Sequence, residues 1–314
     1  MGVKVLITGG TGLIGRHLTS LLLKSGYEVA HLSRSKDAIP GIPVFLWDLK
    51  KDFIEEGALD QVDVIVHLAG ADVAEKKWTQ ERKRILKSSR VETAGMLYRY
   101  LIKNQHQVKS FISASGIAIY GHDTGGIELM EDRKRLGDDF LSTLTKSWEE
   151  AADQFSSSDL RVVKLRTGLV LSPDGGALKK LLTPIKFGVG AALGSGEQYM
   201  SWIHIYDHIR FIQYAIENPL ISGVYNAVAP HPVTNREFMQ SLAKNMKKPF
   251  FLPNVPGFGL RLYLGEMASM LLGGNKVSSK KIEASGFLFK YPTLKEALNN
   301  LLSTKGKNGN KHSY

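Results

Sequence analysis

The sequence predicts an α/β fold, a doubly wound parallel sheet with a smaller C-terminal lobe on the substrate side, and three observations predict it. Short runs that are apolar throughout recur between helical stretches: "VKVLIT", "YEVAHLSR", "VFLWDL", "VDVIVHLAG", "VKSFISAS" and "LRVVKLRTGLVL". Strands without polar alternation belong to a sheet covered on both faces, which is what parallel strands joined by crossover helices produce. The first run passes into the glycine-rich "GGTGLIG" and then into "RHLTSLLLKSG", apolar at helical spacing and closed by Gly26, so strand, turn, helix and stop follow in order. After residue 171 the texture changes to "SPDGGALKKLLTPIKFGVGAALGSGEQ", rich in glycine and without regular strand runs.

Between the strands, residues 79–103 and 139–155 read as helical. A further strand and helix follow in "YMSWIHIYDHIRFIQYAIENP", and "SGVYNAVAPHPVTNREFMQSLAKNM" gives a strand, a loop and a helix capped by Thr234 or Asn235. From Lys247 to Leu302, prolines at 249, 253 and 256 separate two short helical patterns. The expected organisation is therefore a sheet domain over 1–171, completed by segments within 199–230. A lobe follows from 172–198 and 231–302, with a disordered basic tail at 303–314. No solenoid-type repeat is present.

Composition narrows the function classes. The 314 residues, 43% of them hydrophobic, are enough to bury a sizeable core. The absence of cysteine excludes disulfides, thiolate metal sites and a cysteine nucleophile, and fits a reducing cytoplasm. The apolar stretch of "MGVKVLITGG" is too short for the core of a signal sequence. No run approaches the ~18–20 apolar residues of a membrane helix; "FGLRLYLGEMASMLLGG" is broken by Arg261 and Glu266. The net charge of +11 attracts polyanions in principle. It is concentrated partly in the tail "STKGKNGNKHSY" and partly on "EKKWTQERKRILKSSR", which is either a solvated helix face or a source of arginines for a phosphate-bearing ligand. No nucleic-acid-binding motif appears, and neither a nucleic acid nor a membrane is expected as partner. No metal site is expected either: His204 and His208 are four apart but straddle a strand-to-helix junction.

The segment "GGTGLIG" fits both a G-x-x-G-x-x-G reading (Gly9, Gly12, Gly15) and a G-x-G-x-x-G reading (Gly10, Gly12, Gly15). Placed between a strand and a helix, such glycines let backbone approach a pyrophosphate, and the helix start at Leu13, Ile14 and Gly15 faces its charge. A Rossmann-type dinucleotide site is predicted. An NAD site wants a carboxylate about 20 residues beyond the glycines. Here "HLSRSKD" offers Ser33 and Arg34 first, and Asp37 only later. A hydroxyl and a guanidinium suit a 2′-phosphate, so NADP(H) is favoured over NAD(H). Asp48 and Leu49 are candidates to border the adenine, and Leu68, Ala69 and Gly70 to lie under the adenosine ribose.

The motifs "TGGTGLIG", "VDVIVHLAG", "FISASGIAIYG", "LRTGLVL" and "WIHIYD" resemble, in this order, the extended short-chain dehydrogenase/reductases. More narrowly, "LAGADVAEKKWTQERKRILKSSRVETAGML", "DFLSTLTKSWEEAA", "NAVAPHPVTNREF" and "GEMASMLLGGNKVSSKKIEASGFLFKYPTLKEAL" are similar to the atypical YfcH-like branch, the "epimerase family proteins" with their characteristic C-terminal domain. The resemblance implies cofactor roles for Gly9, Gly12, Gly15, Ser33, Arg34, Leu68 and Ala69. It sets Arg90, where relatives have an asparagine before a G-T pair, toward the site, and Val170 beside the nicotinamide. It implies a catalytic hydroxyl at Ser115, with Ser113 as the alternative.

The same resemblance exposes a departure. Such enzymes relay a proton through a tyrosine followed four residues later by a lysine. Aligned on the glutamate of "KSWEEAA", those slots hold Leu141 and Thr145; slid by one residue, they hold Ser142 and Lys146. Tyr120 is the nearest substitute acid, with packing as its alternative role, and His204 is a second candidate or a core residue. Two functions remain open: an NADP-dependent epimerase or oxidoreductase on a nucleotide-sugar or carbonyl substrate, or a catalytically degenerate NADPH-binding regulator or scaffold.

Overall fold

The computed structural model describes residues 2–36, 39–134 and 136–303. Asp37 and the basic tail beyond Ser303 lie outside the described residues. The chain divides into two compact units: one from the described residues of 1–119, 143–166 and 209–225, the other from those of 120–142, 167–208 and 226 onward.

The first unit is built on an eight-stranded sheet. In chain order its strands are β1 (Lys4–Thr8), β2 (Glu28–Ser33), β3 (Val44–Asp48), β4 (Phe53–Ile54), β5 (Val64–His67), β6 (Ser110–Gly116), β7 (Arg161–Thr167) and β8 (Gly223–Ala227). Across the sheet they run β8, β7, β6, β5, β1, β2, β3, β4. β1 pairs in parallel with β2 on one side and β5 on the other, Leu6 standing opposite both Ala30 and Ile65. β2–β3 and β5–β6 are also parallel, and the edge pair β3–β4 is antiparallel. Chain order therefore reverses at β1. In open α/β sheets a crevice opens beyond the strand ends at such a switch, and "GGTGLIG" leaves β1 there.

Helix α1 (Leu13–Lys24) buries Leu18 and Leu22 fully. The stretch 79–103 is not one regular helix. α2 (Gln80–Lys87), capped by the Thr79 side chain accepting from the Arg82 amide at 3.1 Å, passes through a π-helical turn at Ser88–Glu92 into α3 (Thr93–Lys103). The Thr93 hydroxyl back-bonds to the Ser89 and Arg90 carbonyls in the widened turn. α3 packs Met96, Leu97 and Leu101 into a core with Leu6, Ile65, Phe111 and Phe155. The Phe111 and Phe155 rings stack 3.6 Å apart, joining the sheet to the residues that follow α4 (Phe140–Asp153).

In the second unit the run "LRVVKLRTGLVL" is divided between sheets. Residues up to Thr167 belong to β7, whereas Leu169–Leu171 pairs in parallel with Trp202–His204. Gly168 permits the break, since a Cβ there would stand 2.5 Å from the Ser201 carbonyl oxygen. The glycine-rich stretch after 171 contains α5 (Gly176–Lys186), which buries Leu178, Leu182 and Ile185. α6 (Ile205–Glu217) follows His204 directly. α7 (Asn235–Asn245) begins with a capping box in which Thr234 is the N-cap and Glu237 its reciprocal partner. α8 (Gly257–Leu264) buries none of its residues. Among the described residues no helix is long and apolar enough to cross a membrane.

Candidate functional site

The glycine turn is shaped by sterics that a side chain would violate. Gly9 has φ +69° and lies against the backbone of Leu68 and Ala69, which a Cβ would meet at 2.9 Å. A Cβ on Gly15 would stand 2.3 Å from the Gly9 carbonyl, and one on Gly10 would run into the His31 ring at 2.5 Å. The Thr19 hydroxyl, 2.8 Å from both the Gly15 carbonyl and His31 Nε2, ties α1 to that ring. Gly12 provides no side-chain cap and the first turn of α1 carries no acidic residue. Its leading amides, those of Leu13, Ile14 and Gly15 included, have no helical acceptor and form a positive end for an anion.

At the end of β2, Ser33 is half-buried and Arg34 is exposed, with no ion-pair partner among the described residues. Asp48 caps the turn after β3 by accepting from the Lys50 amide at 2.9 Å. Beyond β5, the Ala69 amide donates to Thr8 Oγ1 at 3.1 Å, and Thr8 Oγ1 lies 2.9 Å from His67 Nδ1. This link, buried at Thr8 and His67, fixes the "LAG" turn, Leu68 to Gly70, against the end of β1. Burial pushes His67 down to about 4, so it is neutral near pH 7.

Arg90 leaves the π-helical turn and is nine-tenths buried. Its guanidinium donates to the Leu86 carbonyl (3.1 Å), the Ala71 carbonyl (2.9 Å) and Ser89 Oγ (3.4 Å), and lies 5.0 Å from the centre of the Trp148 ring. It also lies along Gly70, whose Cβ would meet Arg90 Cζ at 3.0 Å. All of these partners are neutral; no carboxylate pairs with Arg90 among the described residues. Burial pushes its pKa down to about 10, opposed by the charge of Asp72. A buried cation with no carboxylate in hydrogen-bond contact is costly to the protein alone and is relieved by an anionic ligand.

Helix α4 carries the residues of both alignments of its sequence. Lys146 is exposed, whereas Thr145 is buried and its Oγ1 lies 3.9 Å from the position of a Gly116 Cβ. Ser142 is buried and donates to Asp139 Oδ2 at 2.6 Å. Ser142 and Thr145 therefore lie on the buried side of α4, Leu141 is half-buried and Lys146 is exposed. Ser115 faces inward: its hydroxyl donates to Glu149 Oε1 at 2.7 Å. Glu149 also receives Arg166 Nε on Oε1 (2.8 Å) and Arg166 Nη2 on Oε2 (3.0 Å), all three residues being buried. Ser113, the alternative hydroxyl, donates to the Ala114 carbonyl.

Similarity to known proteins adds the family. The model of the NAD dependent epimerase/dehydratase family matches residues 5–227. The chain belongs to that family. A domain of unknown function, DUF1731, matches residues 255–301, within the second unit. Epimerase family protein SAR0825 of Staphylococcus aureus (strain MRSA252) is 38% identical over 96% of this chain and 99% of its own. Epimerase family protein YfhF of Bacillus subtilis (strain 168) is 34% identical over 96% and 99%. Among solved structures, the human epimerase family protein SDR39U1 (isoform 2) with NADPH superposes with a TM-score of 0.85 at 33% identity, covering 96% of this chain and 99% of that one. A Thermus thermophilus UDP-glucose 4-epimerase complexed with NAD shares the fold at TM-score 0.74 and 20% identity, covering 96% of this chain and 98% of that one.

Of the residues expected to serve this epimerase-family site, the first unit holds the glycines, Leu13, Ile14, Ser33, Arg34, Leu68, Ala69, Gly70, Arg90 and Ser115, and the second holds Tyr120 and Val170. Tyr120 is buried and donates to Asn226 Oδ1 at 2.7 Å. Val170 pairs with Ile203. His204 is a core residue, stacked on Tyr291 at 4.0 Å and accepting from the Tyr206 amide at 3.0 Å. Sequence reading passed over Trp148, Arg166, His31 and Thr8, each of which braces a site element. Glu149 served there only as an alignment mark, and its own position between two predicted strands was the one available signal for Arg166.

Proposed function

We propose that this protein binds NADP(H) in the first unit and acts as an epimerase-like oxidoreductase on a carbonyl or nucleotide-sugar substrate. The observation that carries the reading is the cradle itself. Glycines that tolerate no Cβ, an uncapped helix start and a buried guanidinium with only neutral partners converge around the switch in strand order. In this reading the amides from Gly12 to Gly15 hold the pyrophosphate, and Ser33 and Arg34 take the 2′-phosphate. The turn at Leu68, Ala69 and Gly70 supports the ribose, and Arg90 supplies a countercharge to phosphate. The NADPH in the human relative's structure supports the choice of cofactor. Once bound, the nicotinamide gives or takes a hydride.

The protein's own part is to orient groups and move a proton, with Ser115 and Tyr120 as the candidate catalytic residues. Both hydroxyl hydrogens are engaged by buried acceptors, Glu149 and Asn226. Each must turn away from its acceptor before it can donate to a substrate oxygen. That engagement, together with a tyrosine slot that holds Leu141 or Ser142, supports a second reading in which the protein binds NADPH and regulates or scaffolds without turnover.

Turnover separates the two. Purified protein is followed by nicotinamide absorbance and by product analysis, with NADPH against carbonyl compounds and with NADP+ against nucleotide sugars, alongside Ser115→Ala and Tyr120→Phe. The enzyme reading expects substrate-dependent conversion that falls by about tenfold or more in Ser115→Ala while NADPH affinity is kept. Tight NADPH binding without conversion across the panel supports the regulator instead.

A further inference from the structure

We propose that the second unit carries a docking face for an anionic phospholipid surface, formed by α8 and the chain flanking it together with the segment that follows α5. Five of the eight residues of α8, "GFGLRLYL", are large and apolar, yet none is buried. Phe258 is 77% exposed and Leu262 86%. A helix this short has little stability of its own in water and normally owes its persistence to packing of an apolar face. Ahead of it Phe251 is 75% exposed, and Phe187, just beyond α5, is 80% exposed.

The two aromatic-bearing stretches are joined. Leu193 and Val255 form a parallel bridge, the Gly194 amide donates to the Val255 carbonyl at 2.9 Å, and the Val255 amide to the Ala192 carbonyl at 2.8 Å. The Asn254 side-chain amide adds bonds to the carbonyls of Gly194 and Ser195, both at 2.9 Å, and α5 packs against α7. The chain leading into α8 therefore runs beside the chain that follows α5.

Charge selects the occupant. Residues 174–197 set Lys179, Lys180 and Lys186 against Asp174 and Glu197, and residues 237–266 set Lys244, Lys247, Lys248 and Arg261 against Glu237 and Glu266; Glu197 pairs with Arg236 and Glu237 caps α7, so the surplus is positive. A second copy meeting this face through a two-fold axis would set the same cations against one another, a like-charge arrangement that disfavours association. An anionic bilayer offers what both features need: an acyl boundary for Phe258, Leu262 and Phe251, and a negative headgroup layer for the lysines and Arg261. This contact departs from the expectation of no membrane partner drawn from the sequence; it lies along the surface and requires no spanning helix.

The test is co-sedimentation of the full chain with vesicles of phosphatidylcholine alone and of phosphatidylcholine and phosphatidylglycerol mixed three to one. Binding to the mixed vesicles, little binding to the neutral ones, and release in molar salt are expected. The double substitution Phe258→Ser/Leu262→Ser lowers vesicle affinity by about tenfold or more, because it removes apolar area from the lipid contact. As these side chains are exposed, thermal midpoint and NADPH affinity stay at wild-type values. Lys247→Glu/Lys248→Glu weakens binding to the mixed vesicles alone. No binding to anionic vesicles, or equal binding by the serine variant, overturns the proposal. So does a concentration-dependent dimer that the serine variant dissociates.

Discussion

Replacing Glu149 with alanine lowers the free energy of unfolding by about 3–5 kcal/mol, the scale for breaking a buried ion pair from one side. Glu149 and Arg166 are each under a tenth exposed and share two hydrogen bonds, at 2.8 and 3.0 Å. Removing the carboxylate takes from the buried guanidinium the charge that accepts two of its hydrogen bonds. It also strips Ser115 of its acceptor, and Lys164, 4.0 Å from Glu149 Oε2, keeps only its bond to Asp153 at 2.6 Å. Replacing both partners, as in Glu149→Leu/Arg166→Met, removes the buried cation together with the carboxylate and recovers most of the loss. Urea denaturation of the two variants beside the wild type measures the difference. A loss below about 1 kcal/mol for Glu149→Ala would mean that the pair is solvated and the buried junction of α4, β6 and β7 is misassigned.

The second large effect is an acid limb of stability. His67 in the first unit and His208 in the second are both fully buried, and burial pushes each from 6.5 down to about 4. Above pH 6.5 the folded and unfolded forms are both neutral at these positions and the stability contribution is complete. As pH falls below 6.5 the unfolded chain takes up protons that the folded chain refuses, so stability declines until the folded form is itself protonated near pH 4. At ~1.4 kcal/mol for each tenfold loss of proton affinity on folding, each histidine accounts for about 3 kcal/mol over that window. His31, also lowered by burial, slopes the same way. Denaturant midpoints measured from pH 7 downward show the decline, and His67→Gln and His208→Gln, compared with the wild type at each pH, each flatten it. A stability that is level from pH 7 to pH 4 contradicts the burial of both rings.

The strands and the glycine turn were legible because their signals are local. An all-apolar run such as "VDVIVHLAG" states its burial in its own residues, and "GGTGLIG" states the need for backbone without Cβ. What escaped was set by partners distant in sequence. Helix α5 was hidden by glycines on both sides, although Leu178, Leu182 and Ile185 carry helical spacing. The break at Gly168 depends on the Ser201 carbonyl, and the inward turn of Ser115 depends on Glu149, 34 residues on. In "DFLSTLTKSWE" the string does not say which residues face inward; the helix buries Ser142 and Thr145 and exposes Lys146. Arg90 was expected to point to the site; that it would stack on Trp148 without a carboxylate partner required the π-helical turn, which no residue pattern announces.

The central claim, a first unit organised around NADP(H), is tested most directly by titrating the purified protein with NADPH and with NADH. The account predicts NADPH binding tighter by about tenfold or more, the worth of one charge-assisted contact to the 2′-phosphate. It also predicts that Arg34→Ala brings NADPH down to the affinity of NADH without changing the latter. Equal affinities in the wild type, or an Arg34→Ala protein that still prefers NADPH to the same degree, would contradict it.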